Sequence, residues 1–104
     1  MKVIFSENAE RDLEDIADWI ARDNPERARS FVADLVRTCK SIGRAPRSYP
    51  LADKSRDPTL RRRIYRSYLI FFDIGPKEVE VLHVVHGARD YAQIVFANDE
   101  PGGL

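Results

Sequence analysis

A chain of 104 residues with 43% hydrophobic content has room for one modest core, so a single domain over residues 1–97 with a flexible tail over 98–104 is expected. Basic and acidic residues both number 17, which leaves no net charge to draw the molecule toward nucleic acid or an anionic membrane. One cysteine, Cys39, excludes an internal disulfide framework, and no apolar run approaches the length of a membrane span, so a reducing, cytoplasmic location is expected.

The charge is nonetheless unevenly spread. Residues 1–23 hold three basic and seven acidic groups, net −4, whereas residues 44–66 hold eight basic and two acidic groups, net +6. The N-terminal MKVIF reads as a short strand over Lys2 to Phe5, because its β-forming residues stop at Ser6 and Glu7; that early stop also argues against a signal peptide. Ser6 is placed to cap a first helix, with Glu7 and Glu10 in the turn where the helix dipole favours negative charge. Ala9, Leu13, Ile16, Ala17 and Ile20 form its apolar stripe, and Trp19 falls at the margin, where half-burial is expected.

Asn24-Pro25 starts a second helix at once, since Asn caps well and Pro suits the first helical position. So short a connection implies an antiparallel helical hairpin. The second stripe is Ala28, Phe31, Val32, Leu35, Cys39 and Ile42, with Gly43 expected as the C-terminal cap. On that stripe Cys39 reads as a buried, inert thiol. Residues 44–59 read as a basic loop broken by Pro46, Pro50 and Pro58.

Three strands follow, over Arg61 to Tyr65, Tyr68 to Ile74 and Glu78 to His86. Connections as tight as Arg66-Ser67 and Gly75-Pro76-Lys77 predict an antiparallel meander, so the fold class is α+β: a helical hairpin on a mainly antiparallel sheet of about four strands. Period-two alternation puts Tyr68, Ile70, Phe72 and Ile74 on one face and Leu69 and Phe71 on the other, with Val79, Val81 and Val85 opposing Leu82 and Val84. Both faces are apolar and the hairpin can cover only one. The other must be covered by the segment Tyr91 to Phe96, by a second chain, or by both.

Few chemistries fit this residue set. His83 and His86 are three apart on a strand and point to opposite faces, which argues against a metal site, and no glycine-rich phosphate loop or elbow-presented serine is present. No cofactor is called for. What remains is Arg61, Arg62, Arg63 and Arg66, then Arg89, with His86 and Tyr91 nearby in sequence. Arginine forks grip phosphates, and histidine or tyrosine can move protons, so metal-free RNA cleavage by Arg63, His86, Arg89 and Tyr91 is one reading. The other is a solvated edge or a docking patch for an acidic partner, because alternation separates Arg61 and Arg63 from Arg62 and Arg66. Arg89, following a central strand, is expected to pair with Asp90.

The order of elements and several motifs resemble the RelE/ParE superfamily of type II toxin-antitoxin toxins. The resemblance rests on Ser6, Ala9, Asp12, Leu13 and Ile16 in the first helix, on Asn24-Pro25, on Leu60-Arg61, and on His86-Gly87-Ala88-Arg89-Asp90. It implies a toxin neutralised by a cognate antitoxin, with operator DNA contacted only through that antitoxin. Within the superfamily, RelE-like members are ribosome-dependent ribonucleases and ParE-like members interfere with DNA gyrase. The long helices, and the lack of a basic, tyrosine-ended C-terminal cluster, favour the ParE-like branch. That branch implies a gyrase inhibitor acting by protein contact, with no catalytic residues and with Arg61, Arg62, Arg63, Arg66 and Arg89 as binding candidates. The alternatives are a ribosome-dependent endoribonuclease and a non-toxic scaffold that only binds its antitoxin.

Overall fold

The computed structural model describes residues 1–96, so the tail expected over 98–104 lies outside the described residues. Strand β1 (Lys2–Phe5) leads into helix α1 (Glu7–Ala21), and helix α2 (Pro25–Ser41) follows. Ser6 accepts the amide of Ala9 and Asn24 that of Arg27, the side-chain caps expected from their positions. Two short 3-10 turns lead to strands β2 (Arg61–Tyr65), β3 (Tyr68–Ile74) and β4 (Glu78–His86), and a last short helix α3 covers Ala92–Val95. The sheet order is β1-β4-β3-β2, with β1 parallel to β4 and the other pairs antiparallel. The expected α+β fold is therefore the observed one.

The two helices pack on one sheet face. Phe31, Leu35, Cys39 and Ile42 meet Ile70, Phe72, Val79, Val81 and Val84 in the main core. Burying these side chains stabilises by roughly 1.5–3 kcal/mol each before chain entropy is counted. Strict alternation fails in the middle of β4. Phe71 pairs with His83 and Phe72 with Val81, so Leu82 is an extra residue, a bulge that shifts the parity beyond it. Val84 consequently faces the helices and Val85 the opposite side, the reverse of the expected assignment.

The opposite face carries its own small core of Leu60, Leu69, Phe71, Val85 and Phe96, flanked by Ala52, Tyr91, Ala92, Ile94 and Val95. Phe71 is fully buried there. Of the three coverings expected, it is the chain's own C-terminal segment, aided by the loop before β2, that closes this face over Phe71. No second chain is needed for that purpose.

Two further expectations are corrected. Gly43 does not cap α2 in a left-handed conformation; it lies in the 3-10 turn Ile42–Arg44 and accepts the Met1 amino group through its carbonyl at 2.8 Å. Its need for glycine is steric, because a Cβ there would collide with the carbonyl of Met1. Trp19 is 64% exposed and not half-buried, because it flanks a groove beside the helix instead of lying between the layers.

Candidate functional site

The arginines of β2 divide as the pleat requires, but the two on the helix side are occupied. Arg61 donates to the carbonyl of Tyr49 at 2.6 Å. Arg63 donates to the carbonyl of Thr38 at 3.0 Å and to the hydroxyl of Ser41 at 2.6 Å, with its guanidinium over the ring of Tyr49. A cation among the last carbonyls of α2 complements the helix dipole and satisfies groups that the helix leaves unpaired. Arg63 thus fastens β2 to the end of α2. Arg66 lies in the β2–β3 turn, at φ 53°, and its guanidinium rests on the ring of Tyr65. Arg62 pairs in register with Phe71, so it shares the second face with Ile64.

A groove of about 520 Å³ opens between α1 and the end of β4. Ile16 and Val84 give it an apolar floor, Trp19 and Tyr68 form aromatic walls, and Asp12 and Asp15 face it along with His86 and Arg89. The ring of His86 meets that of Tyr68 edge-on at 5.2 Å, and its Nδ1 accepts the amide of Ala88 at 3.1 Å. Arg89 also lines a second cavity, of about 360 Å³, with Arg56, Asp90, Tyr91 and Phe96. Among the described residues Arg89 forms no ion pair with Asp90, contrary to expectation, although both line that cavity.

The four residues weighed for RNA cleavage are therefore dispersed. Arg63 is bonded to α2, Tyr91 packs its ring 5.3 Å from Phe71 beneath the second face, His86 and Arg89 share one groove and Arg89 and Tyr91 the other cavity, so no single site gathers the four. General acid-base catalysis needs the proton donor and acceptor within hydrogen-bond reach of one reacting atom. Cys39 offers no nucleophile, because burial pushes its thiol up to about 12 despite the nearby Arg63.

Sequence reasoning missed Asp12. Its Oδ2 accepts the backbone amide of Val84 at 2.9 Å and lies 3.2 Å from His83 Nδ1, so one carboxylate ties α1 to β4 just beyond the bulge. Apart from its place in the first-helix motif that carries the family resemblance, its signal was an acidic residue beside the apolar stripe, like its solvated neighbours. A second carboxylate cluster lies at the β2 entrance, where Asp57 accepts the amides of Thr59 and Leu60 and the Thr59 hydroxyl also reaches Asp73 at 3.3 Å. The amide of Thr59 leads in holding Asp57 below the usual carboxylate range; burial, then the neighbouring Asp57, holds Asp73 above it.

The family model described as the ParE toxin of the type II toxin-antitoxin system parDE matches residues 3–91. The chain belongs to the ParE toxin family. A solved structure of the chromosomal ParDE toxin-antitoxin system from P. aeruginosa superposes with a TM-score of 0.70 at 24% identity, covering 83% of this chain and 95% of that one. No curated protein matches the chain. The matched span runs from β1 to Tyr91, so both helices, the whole sheet and Arg89 fall within the ParE pattern.

Proposed function

We propose that this ParE-family toxin inhibits DNA gyrase by protein contact in the cytoplasm and is neutralised by a cognate antitoxin, through which alone it reaches operator DNA. The observation that carries the non-catalytic reading is the dispersal of Arg63, His86, Arg89 and Tyr91. The gyrase target is what the resemblance to ParE-like toxins implies, and membership of the ParE family supports that reading. His86, Arg89 and the exposed Trp19 meet at one groove, which makes it the favoured contact for the target. Tryptophan and arginine at a groove mouth are the residue types that dominate binding energies at protein interfaces.

Purified toxin added to gyrase in a supercoiling assay should block supercoiling or trap cleaved DNA, and its antitoxin should restore activity. Cleavage of mRNA on ribosomes with gyrase untouched would move the protein to the ribonuclease branch. Harmless expression without the antitoxin, alongside a tight complex, would leave only the scaffold role.

A further inference from the structure

β2 is an edge strand, and only its first half is covered. The amide of Arg62 donates to the carbonyl of Pro50 at 3.0 Å and the amide of Ala52 to the carbonyl of Leu60 at 2.8 Å, so residues 60 and 62 turn their backbone groups away from β3. By the two-residue repeat of a strand, Ile64 turns outward as well. Neither its N–H nor its C=O has a backbone partner outside the sheet among the described residues. The covering chain leaves the lane at Tyr49, whose ring turns onto Phe72.

The side chains above this open length are as unusual as the backbone. Ile64 is 61% exposed, one of three large hydrophobic residues exposed among the described ones, and it adjoins the second-face core through Leu69. Arg62 lies on the same face and Arg66 follows in the turn, and neither has a carboxylate partner among the described residues. An open edge with an apolar centre and arginine flanks has two consequences. Pairing of two β2 edges would bring arginine against arginine, which disfavours a second copy. A strand carrying carboxylates would gain from the same charges while its apolar residue covered Ile64.

We propose that the outer half of β2, from Arg62 to Arg66, receives an extended acidic segment of a partner protein that adds to the sheet as a fifth strand. Naming that partner as the antitoxin rests on the reading above; the strand addition itself requires only the chemistry of the edge. The apolar anchor opposite Ile64 sets the register, and the carboxylates meet Arg62 and Arg66.

The test uses the full chain and a capped synthetic peptide in which every second residue reads glutamate, valine, glutamate with threonines between, so that the carboxylates and the apolar anchor share the face of Arg62 and Ile64, against a control with lysine in the acidic positions. At 90% occupancy, amide hydrogen exchange at Ile64 should slow about tenfold, because only the free fraction exchanges. The acidic peptide should bind at least about tenfold more tightly than the lysine peptide, and the double substitution Arg62→Glu with Arg66→Glu should abolish that preference. Both positions are on the surface, and an unchanged circular dichroism spectrum verifies the fold. N-methylation of alternate peptide amides alters nothing in the protein and should abolish binding. Equal binding of both peptides, an unchanged Ile64 exchange rate, indifference to N-methylation, or no binding at millimolar peptide would each overturn the proposal. None of these readouts involves gyrase, so failure here and failure of the gyrase reading are told apart.

Discussion

Arg63 and Arg62 are neighbours in the sequence with opposite fates. Arg63 makes two hydrogen bonds to the end of α2, and hydrogen bonds to a charged group contribute about 1.5–3 kcal/mol. Arg63→Ala should lower stability by about 2 kcal/mol in urea melts, whereas Arg62→Ala should change it by less than about 0.5 kcal/mol, as surface substitutions do. Arg89 behaves as a surface residue too: Arg89→Ala should leave the melting temperature unchanged while weakening gyrase inhibition at least about tenfold, a loss of 1.4 kcal/mol at the contact. A fallen melting temperature with inhibition intact would make Arg89 structural. Asp73 is expected to destabilise the fold near neutral pH. Its folded-state pKa is raised, first by burial and then by Asp57, so the folded chain binds that proton more tightly than the unfolded chain and loses stability as pH rises through the carboxylate range. Asp73→Asn should therefore raise the melting temperature at pH 7, and the gain should vanish when pH drops below the ordinary aspartate value.

At the scale of elements, the helices and strands were legible because local signals agreed with the global arrangement: caps at Ser6 and Asn24, periodic stripes, and short turns between apolar runs. What escaped were features defined by distant partners. The bulge at Leu82 has no signature in a run of valines and leucines, yet it sends Val84 and Val85 to the faces opposite to those alternation assigns. Gly43 resembles a helix cap in sequence, and only the approach of Met1 reveals why the position must be small. Asp12 was hidden among six other acidic residues of the first 23. The division of the arginines into two faces was legible, but the occupation of Arg61 and Arg63 by loop and helix carbonyls was not. The Asp12 tether also makes a quantitative demand. Asp12→Ala leaves the partly buried amide of Val84 without its acceptor and frees His83, so about 1–3 kcal/mol of stability should be lost. Asp12→Asn retains an acceptor for that amide and should lose less. Equal losses in the two variants would show that the charge, and not the hydrogen bond, holds α1 on β4.

For the whole molecule, the deciding question was how a thin two-helix layer could serve a sheet that is apolar on both sides. The fold answers it with two cores of unequal size, the smaller closed by Tyr91, α3 and Phe96. This closure is a peripheral lid: Phe96 is 4% exposed, yet it is held by a four-residue helix and by the guanidinium of Arg56 over its ring. A helix of one turn has almost no stability of its own, so the lid stays down only because apolar side chains hold it there. Removing one should release the segment without unfolding the hairpin core. Phe96→Ala should therefore cost about 3 kcal/mol at most, near the lower end for a buried aromatic, because a peripheral site can collapse. Amide exchange in residues 91–95 should rise steeply while exchange in α2 and β3 rises little. The uncovered Phe71, Leu69 and Val85 should then bind an apolar dye and drive concentration-dependent association, which ultracentrifugation would detect. If exchange instead rises uniformly across both cores, the two faces form a single cooperative unit, and the lid cannot open without the rest of the toxin.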